Sequence, residues 1–270
     1  MRLAWDDSRT AEMYERFTRR FPMYDETSRD LVSFAGVSTA SRIVDLACGT
    51  GATTRAILSV AQPESEVSAL DGSPAMIGVA EQVVTDRRVR WVCADACDLD
   101  AHVADVDVIV CNSAIWQFDM PRAFETVTRV LRRGGRFAFS VGRQFILLPL
   151  TEEELSPAKP SLWEYMQAVA TLDYDYVAPF RGRSALLSEE IVRSMITDAG
   201  LRLDTFEIRS YDASAEQDRA WFEIPVFADN VLAGMPYEDQ LRVIDKASRY
   251  VDPAGTASRR WAYFVASREP

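Results

Sequence analysis

Histidine is nearly missing from this chain: 270 residues contain one, His102, along with only four cysteines. A single imidazole cannot build a histidine metal site. Cys93 and Cys97 are spaced like half of a thiolate site but have no second pair to complete it. The cysteines (Cys48, Cys93, Cys97 and Cys111) lie in or beside apolar stretches and are expected to act as small buried hydrophobes. No metal is expected. Apolar runs of membrane-spanning length are also lacking, and the stretch from Trp5 to Arg9 is polar and charged, unlike a secretory leader. The expected setting is the cytoplasm, with no membrane partner. Basic residues are in deficit, with 30 lysines and arginines against 41 aspartates and glutamates, a net charge of −11. Such a balance repels phosphate backbones and argues against nucleic acid as a partner. The cluster Arg132, Arg133 and Arg136 reads as a helix end, where cations complement the dipole.

Apolar residues are plentiful, at 48%, enough to bury one full α/β core. The most informative run is Ile43-Val44-Asp45-Leu46-Ala47-Cys48-Gly49-Thr50-Gly51. It reads as a buried strand entering a glycine loop that opens a helix, with backbone bared where a ligand comes close. Asp71 follows twenty residues after Gly51, at the end of the strand-like Glu66 to Leu70, where a carboxylate can accept from both hydroxyls of a ribose. A dinucleotide fingerprint would place a third glycine where Thr54 stands, and it leaves Asp45 without a purpose. A carboxylate there suits a ligand with a cationic amino group.

Val44 to Gly51 resembles motif I of the class I S-adenosylmethionine-dependent methyltransferases. Four further segments are similar to that family in order and spacing: Asp71 with Gly72, Ser73 and Met76; Val92 to Ala96; Val106 to Ser113; and Arg129 to Phe139 with its double glycine. The resemblance is good over residues 37 to 142 and topological elsewhere. It implies a Rossmann-like three-layer α/β sandwich, with a mostly parallel seven-stranded sheet, an antiparallel closing strand and helical cap insertions. The core is expected over 37–141, 188–211 and 261–270 of a single domain, with an N-terminal cap at 1–36 and insertions at 142–187 and 212–260.

On the same resemblance, S-adenosylmethionine is the expected cofactor. Asp45, Ala47, Cys48, Gly49 and Gly51 would hold its methionine part, and Asp71, Gly72 and Ser73 the ribose. Met76, Asp95 and Ala96 would enclose adenine, and Tyr14, Asn112 and Ser113 would complete the site. The insertions and first helices are rich in aromatics (Tyr14, Phe17, Phe21 and Tyr24; Trp163, Tyr165, Tyr174, Tyr176 and Phe180; Trp221, Phe222, Phe227, Tyr237 and Tyr250). Together they suggest an aromatic lid over a small-molecule pocket. His102 is expected at the surface, which removes the usual general base. Transfer would then proceed by placement of an acceptor that is already nucleophilic. Asn112, Tyr174, Tyr176 and Tyr24 are candidates to face the acceptor, with Trp116 and Gln117 nearby. Two other readings stay open. One is attack within the aminocarboxypropyl arm, or transfer of that arm, releasing methylthioadenosine. The other is binding of the cofactor without turnover. The expected assembly is a monomer or homodimer.

Overall fold

A computed structural model describes residues 5–155, 159–179 and 186–269; Phe180 lies outside them. Seven strands form one sheet: β1 (Arg42–Leu46), β2 (Glu66–Asp71), β3 (Val89–Cys93), β4 (Val106–Cys111), β5 (Leu131–Gly142), β6 (Leu201–Ser214) and β7 (Thr256–Arg268). Their order is β3-β2-β1-β4-β5-β7-β6. The first five strands run parallel, and β7 enters antiparallel between β5 and β6.

Helices α1 (Ser8–Arg20) and α2 (Met23–Ala35) precede β1, and α3 (Ala52–Val60), α4 (Pro74–Val83) and α5 (Met120–Val130) make the crossovers. Central β1 and β4 are mostly apolar because helices cover both faces, with Asp45 and Asp107 interrupting the hydrophobic runs. One core face joins Phe124, Phe137, Phe139 and Phe264. The other seats α2 and α3 through Leu31, Ile43, Ile57 and Tyr263. The chain leaves β1 toward β2 on one side and meets β4 on the other, which opens a crevice at the carboxyl ends of β1 and β4.

Several boundaries differ from the sequence pattern. The double glycine lies inside the irregular start of β5, where the register against β4 shifts. A Cβ at Gly135 would stand 2.8 Å from the Arg132 carbonyl oxygen and 2.9 Å from that of Val106. β6 and β7 are longer than their apolar stretches, pairing from Leu201↔Arg268 to Ser214↔Thr256. Backbone pairing carries these polar strand ends where hydrophobicity does not. Cys48, Cys97 and Cys111 are buried, whereas Cys93 is exposed, because β3 is an edge strand. No helix among the described residues is long and apolar enough to cross a membrane.

Beyond β5 come α6 (Leu162–Tyr174) and α7 (Glu189–Asp198), and between β6 and β7 come α8 (Ala215–Phe222), α9 (Pro225–Val231) and α10 (Tyr237–Ser248). The helices α6, α9 and α10 share their own small core, built on Met166, Ala170, Leu232, Val243 and Ile244.

Candidate functional site

After Leu46 the chain turns through a loop in which three alternate residues are left-handed: Ala47 (φ +57°), Gly49 (φ +53°) and Gly51 (φ +87°). For alanine this conformation costs roughly 1–2 kcal/mol, and such strain persists where the surroundings fix the loop. Gly51 is required for a second reason. A Cβ there would meet the Val84 and Trp91 side chains at 3.2 and 3.3 Å. Over Gly49 lies Tyr14, its ring edge 3.5 Å from where a Cβ would stand.

Asp71 ends β2 beside this loop. One carboxylate oxygen accepts from the Gly49 N–H and the other from the Ser73 N–H, both at 2.9 Å. Each oxygen keeps a lone pair for a further donor. Ser73 caps α4 by accepting from the Met76 N–H at 3.1 Å, and its hydroxyl donates to the Trp5 carbonyl at 2.9 Å. The Gly72 backbone runs close to Ala94, which follows β3. Asp95 accepts from the Cys97 N–H at 2.9 Å, and Ala96 and Met76 are buried. The ends of β1, β2 and β3 therefore present adjoining loops at residues 47–51, 71–76 and 95–97.

Asp45 lies beneath the glycine loop, fully buried. Its Oδ2 accepts from the Thr54 hydroxyl at 2.6 Å. Its Oδ1 is the one buried side-chain oxygen or nitrogen among the described residues with no hydrogen-bond partner. Burial first, and then the nearby Asp71 charge, push its pKa up to about 7 against the lowering effect of Thr54. An orphaned carboxylate oxygen at this point fits a ligand with a cationic amine, which would satisfy the oxygen and restore the charge.

Asn112, at the end of β4, is a hub. Its amide donates to Ser28 (3.0 Å) and Thr27 (3.2 Å) of α2, and its oxygen accepts from Ser140 of β5 at 2.6 Å. The left-handed Ser113 (φ +55°) donates its N–H to Ser140, and its hydroxyl accepts from the Trp261 indole at 2.7 Å. Asn112 thus spends its donors inside the protein, pinning α2 across the crevice.

The aromatics separate into two groups. Tyr14 and Tyr24 are 5.2 Å apart between ring centroids, and Trp5, Phe17, Trp221 and Phe227 continue from them, ending in the Trp221–Phe227 stack at 3.6 Å. This roof comes from the N-terminal helices and from α8 and α9, and its Tyr14 lies over Gly49. Tyr174 and Tyr176 belong to the helical cap instead. The Tyr176 hydroxyl donates to the Ala233 carbonyl at 3.2 Å, and Tyr174 is partly exposed. Trp163 is exposed, Tyr165 stacks on Tyr250, and Trp116 stacks on Phe145 at 3.9 Å.

Sequence reasoning missed the latch between α1 and the glycine loop. Glu15, buried, accepts from the Thr50 hydroxyl at 2.6 Å and pairs with Arg19 (2.7 Å) and Arg55 (3.3 Å). The available signal was an acidic residue on the apolar face of an amphipathic helix, with Arg19 four residues later.

A left-handed glycine loop at a topological switch point, with the buried Asp45 beneath it and Asp71 at the end of the neighbouring strand, defines a Rossmann-like domain. Residues 43–135 match the family described as "Methyltransferase domain". The malonyl-[acyl-carrier protein] O-methyltransferase of Hahella chejuensis is 33% identical over 51% of this chain and 50% of its own length. The trans-aconitate 2-methyltransferase of Azoarcus sp. is 29% identical over 73% of this chain and 76% of its own. The match thus spans half of the first relative and about three quarters of the second. Among solved structures, the YcgJ protein of Bacillus subtilis aligns with TM-score 0.57 and 17% identity over 91% of this chain and 99% of its own. A Haemonchus contortus phosphoethanolamine N-methyltransferase in complex with S-adenosylhomocysteine aligns with TM-score 0.53 and 18% identity over 91% and 53%. These two share the fold. Over residues 43–135, and in its fold, the chain is similar to the class I S-adenosylmethionine-dependent methyltransferases, proteins whose cofactor is S-adenosylmethionine.

Proposed function

We propose that the chain methylates a carboxylate of a small-molecule acid, by placement rather than by general-base catalysis. The observation that carries this reading is the lack of a poised base among the described residues around the glycine loop. Tyr14 and Tyr24 hold their protons more tightly than free tyrosine, chiefly through burial. Asp71 is committed to the Gly49 and Ser73 N–H groups and would turn its remaining lone pairs to the ribose, the free oxygen of Asp45 would be taken by the cofactor's amino group, and His102 is exposed on the β3–β4 connection. A hydroxyl or thiol acceptor would find nothing there to take its proton. A carboxylate needs no deprotonation near neutral pH. Malonyl groups and trans-aconitate, named as acceptors of two relatives, both carry carboxylates.

Bound S-adenosylmethionine supplies an electrophilic methyl group. The chain's own residues divide the remaining work. Asp45 and the 47–51 backbone would hold the amino-acid end, Asp71 the ribose, and Met76, Asp95 and Ala96 the adenine. The Tyr14, Tyr24 and Trp221 faces exclude water and offer π-surface to a cation. Asn112 and Ser113 fix the crevice edge where the acceptor would lie, and alignment alone can lower the barrier by several kcal/mol, with about 7–11 as the upper range.

The test is mass spectrometry of the purified protein with S-adenosylmethionine and a panel of small di- and tricarboxylic acids. S-adenosylhomocysteine together with an ester product supports the reading. Methylthioadenosine released without any acceptor would replace it with chemistry on the aminocarboxypropyl arm. Methylation confined to amines or hydroxyls would refute the carboxylate assignment.

A further inference from the structure

The outer face of α1 borders a second site that the cofactor loops do not use. Arg9, Met13 and Arg16 are spaced i, i+4, i+7, a single stripe of the helix. They form one wall of an open cleft of about 810 Å³, with Tyr237 and Leu241 of α10 opposite. That volume falls in the range of small-molecule sites. Tyr14 lies off this stripe, on the face of α1 that meets Gly49, so the cleft and the glycine loop lie on different sides of one helix.

The lining is cationic, with six arginines and lysines against two carboxylates, in a chain whose net charge is −11. Four of the six cations are already engaged. Arg219 pairs with Glu223 and Asp245, Arg249 with Asp245, Arg242 with Asp239, and Lys246 with Asp173. Arg9 and Arg16 pair with no carboxylate among the described residues. The nearby Asp7 carboxylate is held by the Thr10 N–H and hydroxyl. The Arg9 guanidinium lies 4.4 Å above the Tyr237 ring, and the Tyr237 hydroxyl contacts Met13 Sδ at 3.4 Å. Two unpaired guanidiniums thus flank a floor of thioether and aromatic ring. Guanidinium favours planar anions such as carboxylate and phosphate, and the floor favours an apolar body.

We propose that this cleft binds a small anionic molecule, bearing a carboxylate or phosphate head on a short apolar body, at a site separate from the cofactor crevice. The site needs neither cofactor nor turnover, so it stands or falls independently of the methyl-transfer reading.

The test is isothermal titration at constant ionic strength with citrate and with pyrophosphate, on the wild type, on Arg9→Gln/Arg16→Gln, and on Arg193→Gln as a control cation elsewhere. Saturable binding is expected, weakened at least tenfold in the double variant and unchanged in Arg193→Gln. Tighter citrate binding identifies a carboxylate ligand, and tighter pyrophosphate binding a phosphate ligand. Thermal unfolding of the double variant checks its fold, and Arg16→Gln alone replaces it if it melts early. Three results would overturn the proposal: no saturable binding of either anion, equal affinity in the arginine variants, or competition by S-adenosylhomocysteine, which would place the anion in the cofactor crevice.

Discussion

Asp45 couples the stability of the protein to pH in a direction opposite to that of most carboxylates. In the unfolded chain it titrates near 3.8, whereas in the fold burial holds its proton until about pH 7. Between these values the folded state binds the extra proton, so stability falls as pH rises through the window and is flat on either side. The gap amounts to about 4 kcal/mol between pH 4 and pH 8. Asp107 and Glu154 have lowered values and work the other way, so the wild-type curve alone is a mixture. Comparison with Asp45→Asn isolates the residue. The asparagine keeps the size and can still accept from Thr54; its amide lacks a partner, but that cost does not change with pH. Urea unfolding of both proteins at pH 5, 6, 7 and 8 should show the variant gaining on the wild type by about 1 kcal/mol per pH unit up to 7, then levelling. A difference that stays constant across this range would mean that Asp45 is ionised in the free protein, and the argument from its orphaned oxygen would fail. The same proton should govern the cofactor. Below pH 7, affinity for S-adenosylmethionine should drop about tenfold per pH unit in the wild type and be both weaker and flatter in Asp45→Asn.

Other perturbations probe the rest of the site. Asp71→Ala removes the acceptor for the Gly49 and Ser73 N–H groups and should weaken cofactor binding by about 1.5–3 kcal/mol; unchanged affinity by titration would displace the ribose from β2. Ala47→Gly relieves a left-handed alanine and should stabilise the protein by roughly 1 kcal/mol, with a lower melting temperature as the contrary result. Glu15→Ala leaves Arg55 and Thr50 without their carboxylate and should cost about 3 kcal/mol, the low end for a broken buried pair, with looser cofactor binding because the loop loses its latch. Tyr176→Phe deletes the hydroxyl on the Ala233 carbonyl and should lower stability by about 1 kcal/mol. A fall in kcat at unchanged melting temperature would instead bring Tyr176 to the acceptor.

The parts of this site that could be read in the sequence are those where chemistry dictates local order. β1 and β4 are legible because a strand covered on both faces is mostly apolar, which makes the buried Asp45 stand out. The 47–51 loop is legible because its left-handed positions call for glycine at 49 and 51. Asp71 is legible because a strand end fixes its place. The roof was not legible at the level of partners. Trp221 and Tyr176 are aromatics of similar context in the two insertions, yet one stacks on Phe227 and meets Phe17 and Tyr24 of the first helices, and the other packs beside Met166 in a separate core. Which insertion reaches the crevice depends on how far β6 and β7 run, and polar residues beyond Tyr211 hide that length. Glu15 was hidden for a related reason, since its value comes from Thr50 and Arg55, 35 and 40 residues away. Local pattern therefore specifies the glycine loop and the strand-end carboxylates, and long-range packing specifies the aromatic cluster and the contacts that seat the first two helices. Glu15 and Asn112 join the two sets, tying α1 to the glycine loop and α2 to the end of β4. A shift of either helix moves the roof relative to the cofactor loops, so changes at these two residues should alter acceptor choice as well as stability.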